Sequence, residues 1–142
     1  MTTHTKNERR SDCPISVALD IIGDRWTLLI VRDLLFKDRD EFGAFLQSEE
    51  RIATNVLADR LRKLEAHGIV SKVPHASDAR KSQYRLTDRG LDLAPILVDL
   101  IVWAARYEKT AAPPKVLKRM LEDREAFIAE TVHAAKRRAT HE

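Results

Sequence analysis

The sequence predicts a mainly helical fold with one small β-hairpin (α+β), and three observations indicate this fold class. Apolar residues recur at the three- and four-residue spacing of helices through most of the chain. Two short β-type runs, residues 69–73 and 82–87, flank a loop that contains Pro, Ser and Asp. The length of 142 residues and the 44% of hydrophobic residues allow one compact domain whose core needs no disulfide or metal.

Four helices are predicted before the hairpin, after a flexible polar tail at residues 1–12. Pro14 suits the first turn of the first helix and Gly23 suits its end. The second helix is apolar on most sides, as expected for a helix within the core. The fourth helix is the most clearly bounded, because its leucines form one stripe and Gly68 follows it. These helices are expected at residues 14–22, 25–36, 42–48 and 54–67.

Two more helices are predicted after the hairpin. Thr87 begins the first of them, although Gly90 and Pro95 weaken its first turns. A break at residues 112–114 precedes the second, an amphipathic helix at residues 115–138. This helix would have about six or seven turns. Such a long helix at the end of a small domain indicates packing against another subunit.

Composition and motifs exclude several classes of protein. No apolar run is long enough to cross a bilayer, and the first residues lack a signal peptide's apolar stretch, so we expect a cytoplasmic protein. The sequence has no nucleophile elbow, glycine-rich phosphate loop or clustered acid pair, so we expect neither enzymatic activity nor a cofactor. No metal is expected, because metal-ligand spacing is absent among His4, His67, His75, His133 and His141.

Positive charge is concentrated in one part of the chain. The net charge is +3, but residues 51–90 contain nine Lys or Arg and four Asp or Glu, a balance of +5. The remaining residues therefore carry −2. A surface that binds a polyanion requires such a concentration of charge.

The order of the elements is that of a winged helix-turn-helix domain, which we place at residues 13–107. In this fold a helix enters the major groove of DNA, and the hairpin reaches the backbone or the minor groove. We assign residues 113–138 to an additional dimerisation helix. Double-stranded DNA and a second copy of the chain are thus the expected partners.

The fourth helix and the loop of the hairpin supply the candidate DNA contacts. At about 100° per residue, the helix face opposite the leucine stripe contains Asn55, Asp59, Arg62 and Ala66. Asn55 can read adenine, and Thr54 can contact a base or a phosphate. Asp59 would repel phosphate and is expected to pair with a neighbouring arginine. Arg80 suits a narrow minor groove, and Asp78 is close enough to orient it. The candidate DNA-binding residues are Thr54, Asn55, Ala58, Asp59, Arg62, Lys63, Arg80 and Lys81.

Alternative interpretations exist for these residues and for Cys13. The charged helix face could be an ordinary solvated surface. Cys13 precedes a helix N-terminus, which favours its thiolate and would suit a sensor of oxidants, but it could also be a small apolar residue packed at a dimer interface. As a sensor it would form a disulfide with Cys13 of the second subunit, form a mixed disulfide with a small thiol, or be oxidised directly. Trp26 and Trp103 are expected in the core or an interface. The sequence also allows a pocket for a small-molecule effector between the core helices and the dimerisation helix.

Three motifs in order resemble the HxlR-type helix-turn-helix regulators, a branch close to the MarR-type regulators. Cys13-Pro14 followed by ALDIIGDRWTLLIVRDLL resembles the opening of the family, IATNVLADRLRKLEAHGIV its recognition helix, and YRLTDRG the end of its wing. The likeness covers residues 13 to 107. The stretch DARKSQYRLTDRG also resembles the MarR-type wing, in which Asp78 and Arg80 fall at the positions of an aspartate and a minor-groove arginine.

The resemblance implies a homodimer held by its first and last helices, which binds a roughly palindromic operator and usually acts as a repressor. Several members of the family sense oxidants with a cysteine at the position of Cys13. One departure is the start of the third helix, Asp40-Glu41-Phe42, where many relatives carry a basic residue before the Phe. Arg39 is the only nearby substitute. The alternative function is a winged helix that binds another protein and not DNA.

Overall fold

The computed structural model describes residues 9–140. Residues 1–8 of the expected tail, with His4, and also His141 lie outside this range. The described chain is a winged helix with a C-terminal helical extension. Its elements are α1 (Pro14–Ile22), α2 (Thr27–Phe36), α3 (Phe42–Phe45), α4 (Thr54–Ala66), β1 (Val70–Pro74), β2 (Ser82–Leu86), α5 (Asp88–Leu91), α6 (Ala94–Tyr107), α7 (Pro114–Glu122) and α8 (Arg124–Thr140).

The four predicted N-terminal helices are present, and α3 is shorter than expected. The leucine stripe of α4 is the centre of the core, with Leu57, Leu61 and Leu64 each at most 2% exposed. These leucines share one buried cluster with residues of α2 and with Phe45 of α3. Gly68 follows α4 with a φ of 71°, the left-handed conformation that glycine adopts most easily.

The two strands form the expected hairpin, and a third segment lies beside it. The strands are antiparallel, with Val70 opposite Leu86 and Pro74 opposite Ser82. Residues 40–41 run along the other edge of β2: the Tyr84 amide donates to the Asp40 carbonyl at 2.8 Å, and Glu41 forms a bridge to Gln83. This pairing fixes the hairpin against the segment that enters α3.

The single helix predicted from Thr87 is wrong, because the structure has two helices there. α5 ends at Leu91, and α6 begins at Ala94 with Pro95 in its first turn. Proline has no amide hydrogen and therefore cannot continue a helix that began before it. The Thr87 side chain accepts a hydrogen bond from the Gly90 amide at 3.1 Å, which caps the start of α5.

The single C-terminal helix predicted at residues 115–138 is also wrong. α7 ends at Glu122, the following Asp123 has φ and ψ of −128° and 46°, and α8 begins at Arg124. α8 folds back onto its own subunit, where Ile128, Val132 and Ala135 pack against the core. Within residues 9–140, no helix has both the length and the hydrophobicity to span a membrane.

Ionic contacts fasten α8 at both of its ends. Near its start, Arg124 donates two hydrogen bonds to Asp99 of α6, at 2.9 and 2.8 Å. Near its end, the Arg138 guanidinium donates to the carbonyls of Leu34 and Leu35, at 3.2 and 2.9 Å. These are carbonyls of the last turn of α2, where a cation also compensates the negative end of the helix. The extension is therefore a tightly docked part of the domain.

Candidate nucleic-acid interface

The N-terminal turn of α4 is open to a ligand. Thr54 and Asn55 are both exposed at its start. Ala53 occupies the N-cap and offers no side-chain oxygen to the first amide groups of the helix. Free amide groups at a helix N-terminus bind anions such as phosphate. Asn55 therefore lies beside backbone amide groups of the kind that bind phosphate.

Farther along α4, Asp59 forms ion pairs with neighbouring basic side chains, as the sequence indicated. Its carboxylate lies 3.0 Å from Arg62 and 3.2 Å from Lys63, and it also pairs with Arg60. The hydrogen bond from Lys63, together with the nearby positive charges, lowers the pKa of Asp59. The side chains of Arg62 and Lys63 remain 70% and 63% exposed. They are thus held on the surface where phosphates can reach them, whereas Ala58 is half-buried.

A contact that sequence reasoning missed fixes the position of α4. Arg60 donates to Asp24, in the turn between α1 and α2, at 3.0 Å. Asp24 also accepts from the Trp26 and Thr27 amides at 2.8 and 3.0 Å. Burial alone would raise the pKa of Asp24, but the hydrogen bonds from Thr27, Trp26 and Arg60 outweigh it, and the pKa is lowered. The sequence carried a signal only for the bonds of Asp24 to α2, because an aspartate three residues before Thr27 has the spacing of a helix cap.

A second ionic cluster joins α2 to the turn before α4. Arg32 donates two hydrogen bonds to Glu50, at 2.7 and 2.9 Å, and also contacts the buried Asp33. The hydrogen bonds from Arg32 lower the pKa of Glu50 to about 2. Because Glu50 lies four residues before Thr54, this pair fixes the approach of the chain to α4.

We expect the Arg32–Glu50 pair to make stability depend on pH. The pKa of Glu50 is about 2 in the folded protein against an ordinary value of 4.5. The pair's contribution is therefore full above pH 4.5 and is lost as the pH falls toward 2. At pH 7, Glu50→Gln should lower the free energy of unfolding by about 1–3 kcal/mol, measured by urea denaturation.

The exposed neighbour Glu49 provides the matched control for this experiment. Glu49→Gln should leave the unfolding free energy unchanged across the same pH range. The difference between wild type and Glu50→Gln should shrink on acidification. A difference that stays constant down to pH 3, or an equal loss in both variants, would contradict the role assigned to Glu50.

The tip of the hairpin presents an oriented arginine. The Asp78 carboxylate accepts hydrogen bonds from the Arg80 backbone amide and Nε, both at 3.1 Å. These bonds from Arg80 lower the pKa of Asp78. The Arg80 side chain is nevertheless 90% exposed, and Lys81 beside it is also exposed. The expected contact between Asp78 and Arg80 is present, and the binding role of Arg80 stays a prediction.

The family resemblance implies a basic residue just before α3, and Arg39 does not take its place on the surface. Arg39 lies 3.3 Å from the buried carboxylate of Asp33 and is thus turned toward the core. Glu41 precedes α3 and lies 3.5 Å from His75, at the base of the hairpin loop. The candidate interface therefore consists of α4 and the hairpin tip.

Cys13 lies apart from this interface, at the N-cap of α1. It is exposed, and the backbone amides of Ser16 and Ile15 at the start of α1 lower the pKa of its thiol. A thiol of lowered pKa and open access is more reactive than a buried one. Trp26 packs against the core, whereas Trp103 on α6 is 65% exposed.

Comparison with known proteins agrees with this architecture. The chain is 39% identical over 102 residues to Rv3095, an uncharacterised HTH-type transcriptional regulator of Mycobacterium tuberculosis, a match that covers 71% of this chain. The match spans 63% of the length of that relative.

Two solved structures share the fold. PA1607, described as a candidate transcription factor, is 41% identical with a TM-score of 0.65, and the match covers 73% of this chain and 71% of PA1607. The redox regulator HypR in its oxidised form is 28% identical with a TM-score of 0.61, and the match covers 69% of this chain and all of HypR.

A family model of HxlR-like helix-turn-helix proteins matches residues 21–112. The match begins within α1 and ends after α6, so it includes α4 and the whole hairpin. The extension formed by α7 and α8 lies beyond it. Members of the HxlR-like family are helix-turn-helix transcriptional regulators and not enzymes. The chain belongs to the HxlR-like helix-turn-helix family.

Proposed function

We propose that this protein is a sequence-specific DNA-binding transcriptional regulator that acts as a homodimer on a roughly palindromic operator. The observation that carries the proposal is the pairing of an open α4 N-terminus with an exposed, oriented Arg80 at the hairpin tip. Thr54 and Asn55 would contact base edges, and Arg62, Lys63 and Lys81 would contact phosphates. Binding near a promoter would most simply block transcription, so we propose a repressor.

The homodimer is supported by apolar side chains that the single subunit leaves exposed. Ile15 and Leu19 of α1 are 71% and 58% exposed. On α6, Leu100, Trp103 and Tyr107 recur on one side and are 46%, 65% and 66% exposed. Large apolar side chains that are exposed side by side, as Trp103 and Tyr107 are with ring centroids 6.0 Å apart, often mark an interaction surface. A second copy would cover this apolar face, and Leu121 of α7 would extend it into the region after residue 113.

The DNA-reading role of Asn55 can be tested once the operator is known. Fragments of the source genome retained by the purified protein would identify it. Asn55→Ala should then lose discrimination at one base step per half-site, at a cost of about 1–3 kcal/mol, while its affinity for random duplex stays unchanged. Competition binding against operators with single base changes measures this effect.

Lys115→Ala, at an exposed position of α7, is the control for the Asn55 experiment and should bind both duplexes like wild type. An equal loss of affinity by Asn55→Ala for operator and random DNA would contradict base reading.

The alternative function, a winged helix that binds another protein, predicts little dependence of binding affinity on salt. DNA binding predicts a steep loss of affinity with added salt.

We also propose that oxidation of Cys13 changes DNA binding. The exposed thiol of lowered pKa supports this, and so does the similarity to the redox regulator HypR. Mild oxidant should change operator affinity at least severalfold in wild type and not in Cys13→Ser, measured by fluorescence anisotropy. An identical response of the two proteins would contradict the sensor role and favour a packing role of Cys13 at the dimer interface.

A further inference from the structure

A cavity of about 450 Å³ lies between α8, the end of α2 and the segment that joins β2 to α5. This volume falls within the range of small-molecule sites in proteins. Because α8 lies beyond residues 21–112, one wall of the cavity comes from outside the segment that the family model matches.

The apolar part of the cavity is lined by Leu34, Leu86, Leu91 and Ala135. Most of its charged groups are already engaged within the protein. Arg138 pairs with Asp38 at 3.1 Å, and Asp40 accepts from Gln83 at 3.2 Å. Arg85 is also engaged.

Two exposed charges of opposite sign remain, Lys136 on α8 and Asp88 at the start of α5. Among residues 9–140, neither Lys136 nor Asp88 forms an ion pair within 4.0 Å. A ligand with a single charge could compensate only one of them. A zwitterion compensates both, and an apolar side chain on the same molecule can cover the leucines.

We propose that this cavity binds an α-amino acid with an aliphatic side chain. Its carboxylate would lie at Lys136, its ammonium group at Asp88 and its side chain against the leucines. The binding assay below contains no DNA. Failure of this proposal is therefore distinguishable from failure of the proposed regulatory function.

Titration calorimetry of the full chain with three probes tests the site. The probes are L-leucine, 4-methylpentanoate, which lacks the ammonium group, and 3-methylbutylamine, which lacks the carboxylate. Leucine should bind in the millimolar range or tighter, and each analogue about three- to tenfold more weakly, because one charge-assisted contact is lost. Absence of leucine binding, or an analogue that binds as tightly as leucine, would overturn the proposal.

Substitution of each exposed charged residue tests which group of the ligand it binds. Lys136→Gln should weaken leucine and 4-methylpentanoate about three- to tenfold and leave 3-methylbutylamine unchanged. Asp88→Asn should weaken leucine and 3-methylbutylamine and leave 4-methylpentanoate unchanged. The exposed controls Lys115→Gln and Asp92→Asn should bind all three probes like wild type. Weakening by the controls, or the same effect of both variants on every probe, would overturn the assignment.

Discussion

Arg80→Ala should weaken operator binding about ten- to a hundredfold, because the dimer would lose two minor-groove contacts at once. The Arg80 side chain is 90% exposed, and its guanidinium is held by Asp78 and not by the core. Its loss should therefore leave folding intact. Random duplex should also be bound more weakly, since narrow grooves attract arginine by charge as well as by sequence. Anisotropy titrations at two salt concentrations measure both effects.

Two variants make the Arg80 result specific. Asp78→Asn keeps the arginine but weakens its orientation, so its effect should have the same direction and a smaller size. Lys115→Ala removes one positive charge from an exposed position of α7 and should leave affinity unchanged. If Lys115→Ala and Arg80→Ala were equally weak binders, net charge and not the hairpin tip would explain the loss.

Trp103→Glu should convert the proposed dimer to a monomer and lower operator affinity by about a hundred- to ten-thousandfold. A charge at the centre of the apolar face opposes its burial against a second copy. Separated subunits lose the effective concentration that links two half-sites. Because Trp103 is 65% exposed in the single subunit, the helical fold should be preserved. Sedimentation equilibrium and circular dichroism measure these two properties.

Ala129→Glu is the matched control for Trp103→Glu, since Ala129 is an exposed helical residue outside the apolar face. This variant should remain a dimer with unchanged affinity. A Trp103→Glu protein that is still dimeric and binds the operator normally would show that the apolar face of α1 and α6 is not the subunit interface.

The N-terminal half of the fold could be predicted because its signals are local. Leucines at 57, 61 and 64 with Gly68 after them define α4 by periodicity and by one backbone conformation. The breaks in the C-terminal half had weaker signals. Pro95 marks the start of α6, and Arg124 interrupts the apolar spacing at the point where α7 gives way to α8. Packing of α8 against the core and the bond from Arg124 to Asp99 accompany the second break.

The candidate site was predictable where charge and exposure alone define it. The contact between Asp78 and Arg80 spans two residues, so the sequence could indicate it. The pairs of Arg60 with Asp24 and of Arg32 with Glu50 join residues 36 and 18 positions apart. No local pattern specifies such partners. Arg138 is the extreme case, because it bonds α2 across more than a hundred residues of chain.

Footprinting of the protein on its selected operator, together with the mass of the complex in solution, tests the central claim most directly. The account predicts two chains per duplex and two protected half-sites, with centres about one helical turn or a multiple of it apart. Each half-site should combine a major-groove contact with a flanking minor-groove contact. One chain per duplex, or failure to retain any duplex at low salt, would contradict the account.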